Sequence, residues 1–220
     1  MKYAFWIILI LTGSLFTTGI HSQEVINLRN PSFEDVPHKG GEYSAFITGW
    51  VDCGLSIFPG ETPPDIHPVK EKAWEVSMAP AHGKTYLGLV TRYNDSHESV
   101  SQKLRKPLVK GKCYSVSVYL AQSPDYLSPT ARSPEISENY TYPIVFVMGA
   151  GYALCKNEQI LAESNTIGHH EWRKYEFTFQ ANDNYGYIIL QAYYDLPILA
   201  PYNGHVLVDG LSAIVEVDCK

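Results

Sequence analysis

This sequence predicts an all-β fold, an antiparallel sandwich or barrel, on three observations. Apolar and polar residues alternate with period two in run after run; clusters of Asn, Asp, Gly and Pro separate those runs; and almost no stretch carries helical spacing. Many short strands with turn signals and no helices between them are the pattern of a two-layer or closed antiparallel sheet.

Residues 1–22 stand apart. Lys2 precedes an apolar run from Phe5 to Leu11, and small or polar residues lead to Gly19-Ile20-His21-Ser22. One basic residue, a short apolar core and a small residue before Gln23 read as a secretory signal peptide cleaved after Ser22, not as an anchor, which needs ~20 apolar residues. No later segment has the length and apolarity to span a bilayer, so no membrane insertion is expected after cleavage. Residues 23–220 then form a single domain, bound for the periplasm, the outer cell surface or the medium. Without Lys2 the basic residues fall from 17 to 16 against 23 acids, a net charge of about −7. That acidic balance, with no Lys/Arg run, argues against nucleic acid and anionic membrane as partners.

The elements follow in order. The stretch NLRNPSFEDV, 27–36, reads as the opening strand. Further strands are expected at 86–90, 98–104, 113–121, 143–151, 174–181, 185–194 and 205–217, divided by the turn clusters RYNDS, KPLVKGK, NDNYG and APYNG. In CYSVSVYLA, Tyr114, Val116, Val118 and Leu120 share one face and are assigned to the space between the sheets. Two long Pro-rich segments, 54–72 and 122–142, resist the strand pattern and read as irregular loops available to a partner.

Catalytic signatures are missing: there is no Gly-x-Ser-x-Gly elbow, His-Glu-x-x-His, phosphate loop or dinucleotide fingerprint. The adjacent His169 and His170 would point to opposite faces of a strand and read as solvated loop residues. The expectation is a protein that is not an enzyme. Glu34, near the first strand, and Asp209, which interrupts the apolar run of the last, are the candidates for a hard cation such as Ca²⁺, because first and last strands of a sandwich often lie side by side. A buried carboxylate at Asp209 needs a partner in any case.

Sugar recognition requires flat aromatic faces with polar side chains at their rims. Trp50, Trp74, Tyr93, Tyr126, Tyr142, Tyr193, Tyr194 and Tyr202 all fall in or beside loops. Among them Trp74, Tyr93, Tyr126 and Tyr202 are singled out as exposed, since each sits among Asn, Asp, Pro or charged residues; Trp172 is assigned to the core. Glu98 and Gln102 share a strand face and are expected to supply hydrogen bonds at the rim. The four cysteines, Cys53, Cys113, Cys155 and Cys219, are even in number and scattered, which in an exported chain reads as two disulfides with three pairings open.

In order along the chain, NPSFED, Trp50, HGKTYLGL, LVKGKCYSVSVYLA, Trp172 ahead of YEFTF, and LVDGLSAI resemble the galactose-binding-like jelly-roll domains, several carbohydrate-binding modules among them. With GWVDCG, TPPDIHP, ESVSQKL and PYNGHVLVDGLS the chain is similar, more narrowly, to exported jelly-roll proteins of gliding and polysaccharide-degrading Gram-negative bacteria. The resemblance implies a two-sheet jelly roll without catalysis, with a structural Ca²⁺ on the Glu of SFE and the Asp of the final strand, here Glu34 and Asp209. Gly210 stands where relatives carry Asn or Asp, which removes one candidate oxygen. The implied fold also lays CYSVSVYLA antiparallel to the final run, setting Cys113 beside Cys219 and leaving Cys53 for Cys155. Two functions follow as expectations: a secreted module that recognises a glycan, or a structural or adhesion component that binds a protein of a cell-envelope export or motility assembly.

Overall fold

The computed structural model describes residues 23–40, 47–54, 63–69, 73–130, 137–195 and 200–219. Two antiparallel sheets stack face to face. The larger, of seven strands, runs β1 (Val25–Ile26), β14 (Ile214–Val217), β6 (Cys113–Ala121), β13 (Gly204–Asp209), β4 (Tyr86–Thr91), β3 (Asp65–His67), with β11 (Arg173–Gln180) on the far side of β6. The smaller, of five strands, runs β10 (Gln159–Glu163), β9 (Ile144–Gly151), β12 (Tyr185–Tyr194), β5 (Ser99–Leu108), β2 (Val51–Asp52). A separate hairpin pairs β7 (Leu127–Pro129) with β8 (Ser137–Asn139). This is a jelly-roll β-sandwich.

Period-two alternation builds the core. Tyr114, Val116, Val118 and Leu120 of β6 face Phe146 and Met148 of β9 and Ile188 and Leu190 of β12 in one apolar cluster between the sheets. Burying a Leu, Val or Phe side chain stabilises by roughly 1.5–3 kcal/mol, so this layer is the main source of cohesion. Cys53 is bonded to Cys155 and Cys113 to Cys219, the pairing that the resemblance implies. The register explains the second bond, since Val217 of β14 lies opposite Cys113. The bonds span sequence separations of 102 and 106, long loops whose closure costs the unfolded chain much entropy. Two such bonds fit a non-cytoplasmic protein.

The chain departs from its sequence pattern in four places. Only Val25–Ile26 pairs as the opening strand, and 27–36 is a turn. Pro31 has no N–H to give a ladder, and the Asn30 side chain accepts from the Glu34 amide at 2.7 Å, curling the segment so that Phe33 enters the core against Trp50, ring centroids 5.3 Å apart. The expected final strand is broken after Asp209 by Gly210 at φ +54°, where β13 ends. Of segment 54–72, residues 55–62 and 70–72 lie outside the described residues, but 65–67 form β3. Segment 122–142 contains β7 and β8, with 131–136 outside the described residues.

Candidate functional site

Of the two Pro-rich segments, residues 65–67 extend the larger sheet as β3, and Tyr126 and Tyr140 of the second pack on its outer face. Along β4 and β13, Leu87, Leu89, Val206 and Val208 point between the sheets, whereas Tyr86, Val90 and Leu207 point the other way into a second apolar cluster with Val76, Tyr126 and Tyr140. Trp74, Met78 and Trp172 pack against it from the edge. Trp172 therefore belongs to this outer layer, its Nε1 donating to the Ala79 carbonyl at 2.8 Å.

Asp65 is the hub of that layer. Ile66 points into the main core, so its neighbours Asp65 and His67 both face the cover, 2% and 0% exposed. The Asp65 carboxylate accepts from the Gly40 amide, from Trp74 Nε1 at 3.0 Å and from the Tyr126 hydroxyl, and stands 3.6 Å from His67 Nε2. Burial pushes this carboxyl upward, but the His67 contact and these donors outweigh it and hold its pKa below the usual value. His67 stacks on Tyr86 with centroids 5.6 Å apart, in space left by Gly88, where a Cβ would come within 3.1 Å of the His67 ring. His205, also fully buried, accepts from the Ser123 amide at 2.7 Å through Nε2 and donates through Nδ1 to the Tyr140 carbonyl at 2.6 Å. Burial drives its pKa down to about 3, so it is a neutral brace for the loop that carries Tyr126.

These contacts correct the expected sugar site. Tyr126 is 2% exposed and locked to Asp65 and His205; it is a core residue of the cover. Glu98 is buried as the partner of Arg92 at 2.5 Å and of the Val90 amide, and Gln102 is buried with its amide clamped to Arg29 and to the Gly49 carbonyl. A lone carboxylate and a lone amide on an inward face must find such partners or stay in water, and the chain supplies them. Trp74 is half-buried on Asp65, Tyr93 is half-buried with its amide on Asn203 Oδ1, and Tyr202 holds the Pro143 carbonyl at 2.7 Å. Of the six candidates, Trp74 and Tyr126 stack on each other, with centroids 6.5 Å apart, inside the cover.

Glu34 and Asp209 meet the same loop, 81–84. Glu34 Oε1 accepts from the Lys84 amide at 2.8 Å, and Asp209 accepts from the His82 amide at 2.7 Å and from its neighbour Gly210 at 2.6 Å. A Cβ on Gly83, at φ +66°, would fall 1.6 Å from Glu34 Oε1, so only glycine lets the loop close on that acid. Asp209 is fully buried, and desolvation raises its pKa to about 6 despite the amide donors. Among the described residues no three His, Cys, Asp or Glu side chains converge, so a hard cation here would draw most of its oxygens from the main chain.

A concavity among the described residues lies elsewhere, on the outer face of the smaller sheet. It has a volume of about 390 Å³, within the ~300–1,000 Å³ of small-molecule sites, and is lined by Val147, Asn157, Ile160, Glu163, Gln191, Tyr193 and Tyr194. Register places Val147 between Glu163 and Gln191 across three strands. The wall that carries Asn157 exists because β9 has glycines at alternate, outward positions. A Cβ on Gly149 would lie 2.4 Å from the Asn157 side chain, and one on Gly151 only 1.7 Å from the Lys156 carbonyl. The 152–158 loop thus rests on bare backbone, and the Cys53–Cys155 bond pins it. Tyr193 is braced by His97 and Tyr194, with centroids 4.8 and 5.3 Å away. The sequence signal for this groove was the pair of glycines two apart in VMGAG, since glycine inside a strand often marks close approach of another backbone.

No family model and no curated protein matches the chain. Solved structures do. A Stig cyclase from Fischerella sp. TAU, solved with a pyrrolidinylidene-indole, superposes with a TM-score of 0.54 at 14% identity over 90% of this chain and 100% of that one. An arabinose-bound GH51 arabinofuranosidase gives 0.51 at 9% identity over 90% of this chain and 27% of that one. The CBM22-1 xylan-binding domain of Paenibacillus barcinonensis Xyn10C gives 0.45 at 12% identity, over 84% of this chain and 95% of that one. At such identities the likeness is one of fold alone. The matches above a TM-score of 0.5, the cyclase and the arabinofuranosidase, share the sandwich fold with this chain and nothing finer.

Proposed function

We propose that the chain is an exported, non-catalytic binding module whose ligand is a saccharide seated in the groove over β9, β10 and β12. The observation that carries this is the lining: one braced tyrosine ring for C–H stacking, two side-chain amides and a carboxylate at the rim, and an aliphatic floor. Acid, base and nucleophile in mutual reach, which catalysis would need, are not what lines it. Glycan-array and affinity-electrophoresis binding is expected to weaken at least tenfold, about 1.4 kcal/mol, in Tyr193→Ala, with a thermal midpoint lowered by no more than a few degrees. Array binding unaffected by Tyr193→Ala, or no glycan signal together with recovery of a defined envelope complex by crosslinking, would replace it with the protein-partner alternative.

We further propose that Glu34 and Asp209 hold a structural Ca²⁺ together with main-chain oxygens of the 81–84 loop. A cation supplies the charge that the buried Asp209 otherwise lacks, which is what its raised pKa expresses. Calcium at pH 7 is expected to raise the melting midpoint of the native chain and to leave Asp209→Asn unmoved. In chelator the order reverses. An acid whose folded pKa exceeds its unfolded value destabilises once ionised, so Asp209→Asn should be the more stable protein above about pH 6 and the advantage should vanish as pH falls towards 3.8. Equal midpoints with calcium and chelator would remove the ion from this corner.

A further inference from the structure

We propose that the groove is built for a glycan containing N-acetylated amino sugars, with Ile160, Val147 and Asn157 reading the acetamido group; this rests on the saccharide site proposed above. An acetamido group presents a methyl, an N–H donor and a carbonyl acceptor within one flat unit, whereas a plain hexose offers only hydroxyls. The floor answers the first of these. Val147 and Ile160 are aliphatic, so they give no ring face for a pyranose but do give a dry seat for a methyl group. Ile160 is 59% exposed on an edge strand, and the register shift between Ile160 and Ala162 aims it outward while Leu161 turns to the core. An isoleucine held out in water beside a groove has little structural reason to be there.

The rim answers the other two. The amides of Asn157 and Gln191 each carry donors for a carbonyl and an acceptor for an N–H, and Glu163 accepts only. Asn157 is placed by the Gly149 and Gly151 gaps and by the disulfide at Cys155, so it is a positioned wall residue despite lying on a loop. Among the described residues no Lys, Arg or His lines the groove, and Glu163 adds negative charge to a chain of net charge −6. Uronates and sulfated sugars would therefore meet repulsion with no counter-charge. Tyr193 then offers its face to the ring that bears the acetamido group.

Isothermal titration of the full chain with the N-acetylglucosamine tetramer, its fully deacetylated form, cellotetraose and polygalacturonate tests this. The N-acetylated tetramer should bind at least tenfold tighter than cellotetraose, and polygalacturonate should not bind. Ile160→Asn, at an exposed position, should bring the two tetramers within threefold of each other, and Tyr193→Ala should weaken both. Cellotetraose binding as tightly as the N-acetylated form, with Tyr193→Ala still abolishing it, would overturn the acetamido assignment and leave the groove standing. Tighter binding of the deacetylated tetramer would overturn it in favour of Glu163 pairing with an ammonium. Binding of none of the four, or binding indifferent to Tyr193→Ala, would remove the saccharide site itself.

Discussion

Replacing Asp65 with alanine is expected to cost about 3–5 kcal/mol, because one buried carboxylate is the acceptor for several buried donors. Three donors lose their acceptor at once: the Gly40 amide, Trp74 Nε1 and the Tyr126 hydroxyl. His67, with no exposure, also loses the only carboxylate beside it among the described residues. Each orphaned buried donor costs ~1–3 kcal/mol when water cannot reach it, and partial collapse or wetting of the cover accounts for the total being less than their sum. Asp65→Asn should sit between, because the carbonyl oxygen of a side-chain amide still accepts from two of the donors. The thermal midpoint should fall by roughly 10 °C for the alanine variant, with a red shift of tryptophan emission as Trp74 is released. A loss within 1 kcal/mol would mean that the cover is not held through this residue.

Acid should destabilise the native chain, with His205 as the main cause. Its pKa falls from an ordinary 6.5 to about 3 on folding, so the unfolded chain takes up a proton that the folded chain refuses. Stability from this group is complete above about pH 6.5 and is lost progressively down to pH 3, by at most about 5 kcal/mol at 1.36 kcal/mol per pKa unit. The charged and titratable groups near it, His67, Asp65 and His170, pull in both directions, and burial outweighs them. Asp209 acts in the opposite sense between about pH 6 and 3.8, but its shift is smaller. Below 3.8, Asp65 adds to the loss, because an acid with a depressed folded pKa stabilises only while it is ionised. Unfolding free energies compared between pH 7 and pH 4.5 should therefore drop slightly in the native chain on acidification, drop more in Asp209→Asn, and rise in His205→Asn, which starts lower. An undiminished drop in His205→Asn would assign acid sensitivity to other groups.

How far the chain was legible from its residues depends on the range of the cause. β6 and β12 follow their alternating runs to the residue, because side-chain period two reports directly which face meets the core. β1, β2, β3, β7, β8 and β10 are two to five residues long, too short for alternation to stand out, and are held by neighbours remote in sequence. The polar neighbours of Tyr126 point to exposure, and the strand face that Glu98 shares with Gln102 points to a rim. The burial of Tyr126 and Glu98 depends on Asp65 and Arg92, which arrive from other segments.

What the sequence determined by itself was the class of fold, the core face of its long strands and the even cysteine count of an oxidised protein, since each is written in local periodicity or composition. The tertiary structure alone decided that Asp65, Tyr126 and Tyr140 of the Pro-rich segments pack over one sheet, and that a concavity opens on the other. The physical reason is that a buried carboxylate, a neutral histidine and a glycine gap act through the groups that cross to meet them, and no window of neighbouring residues contains those groups.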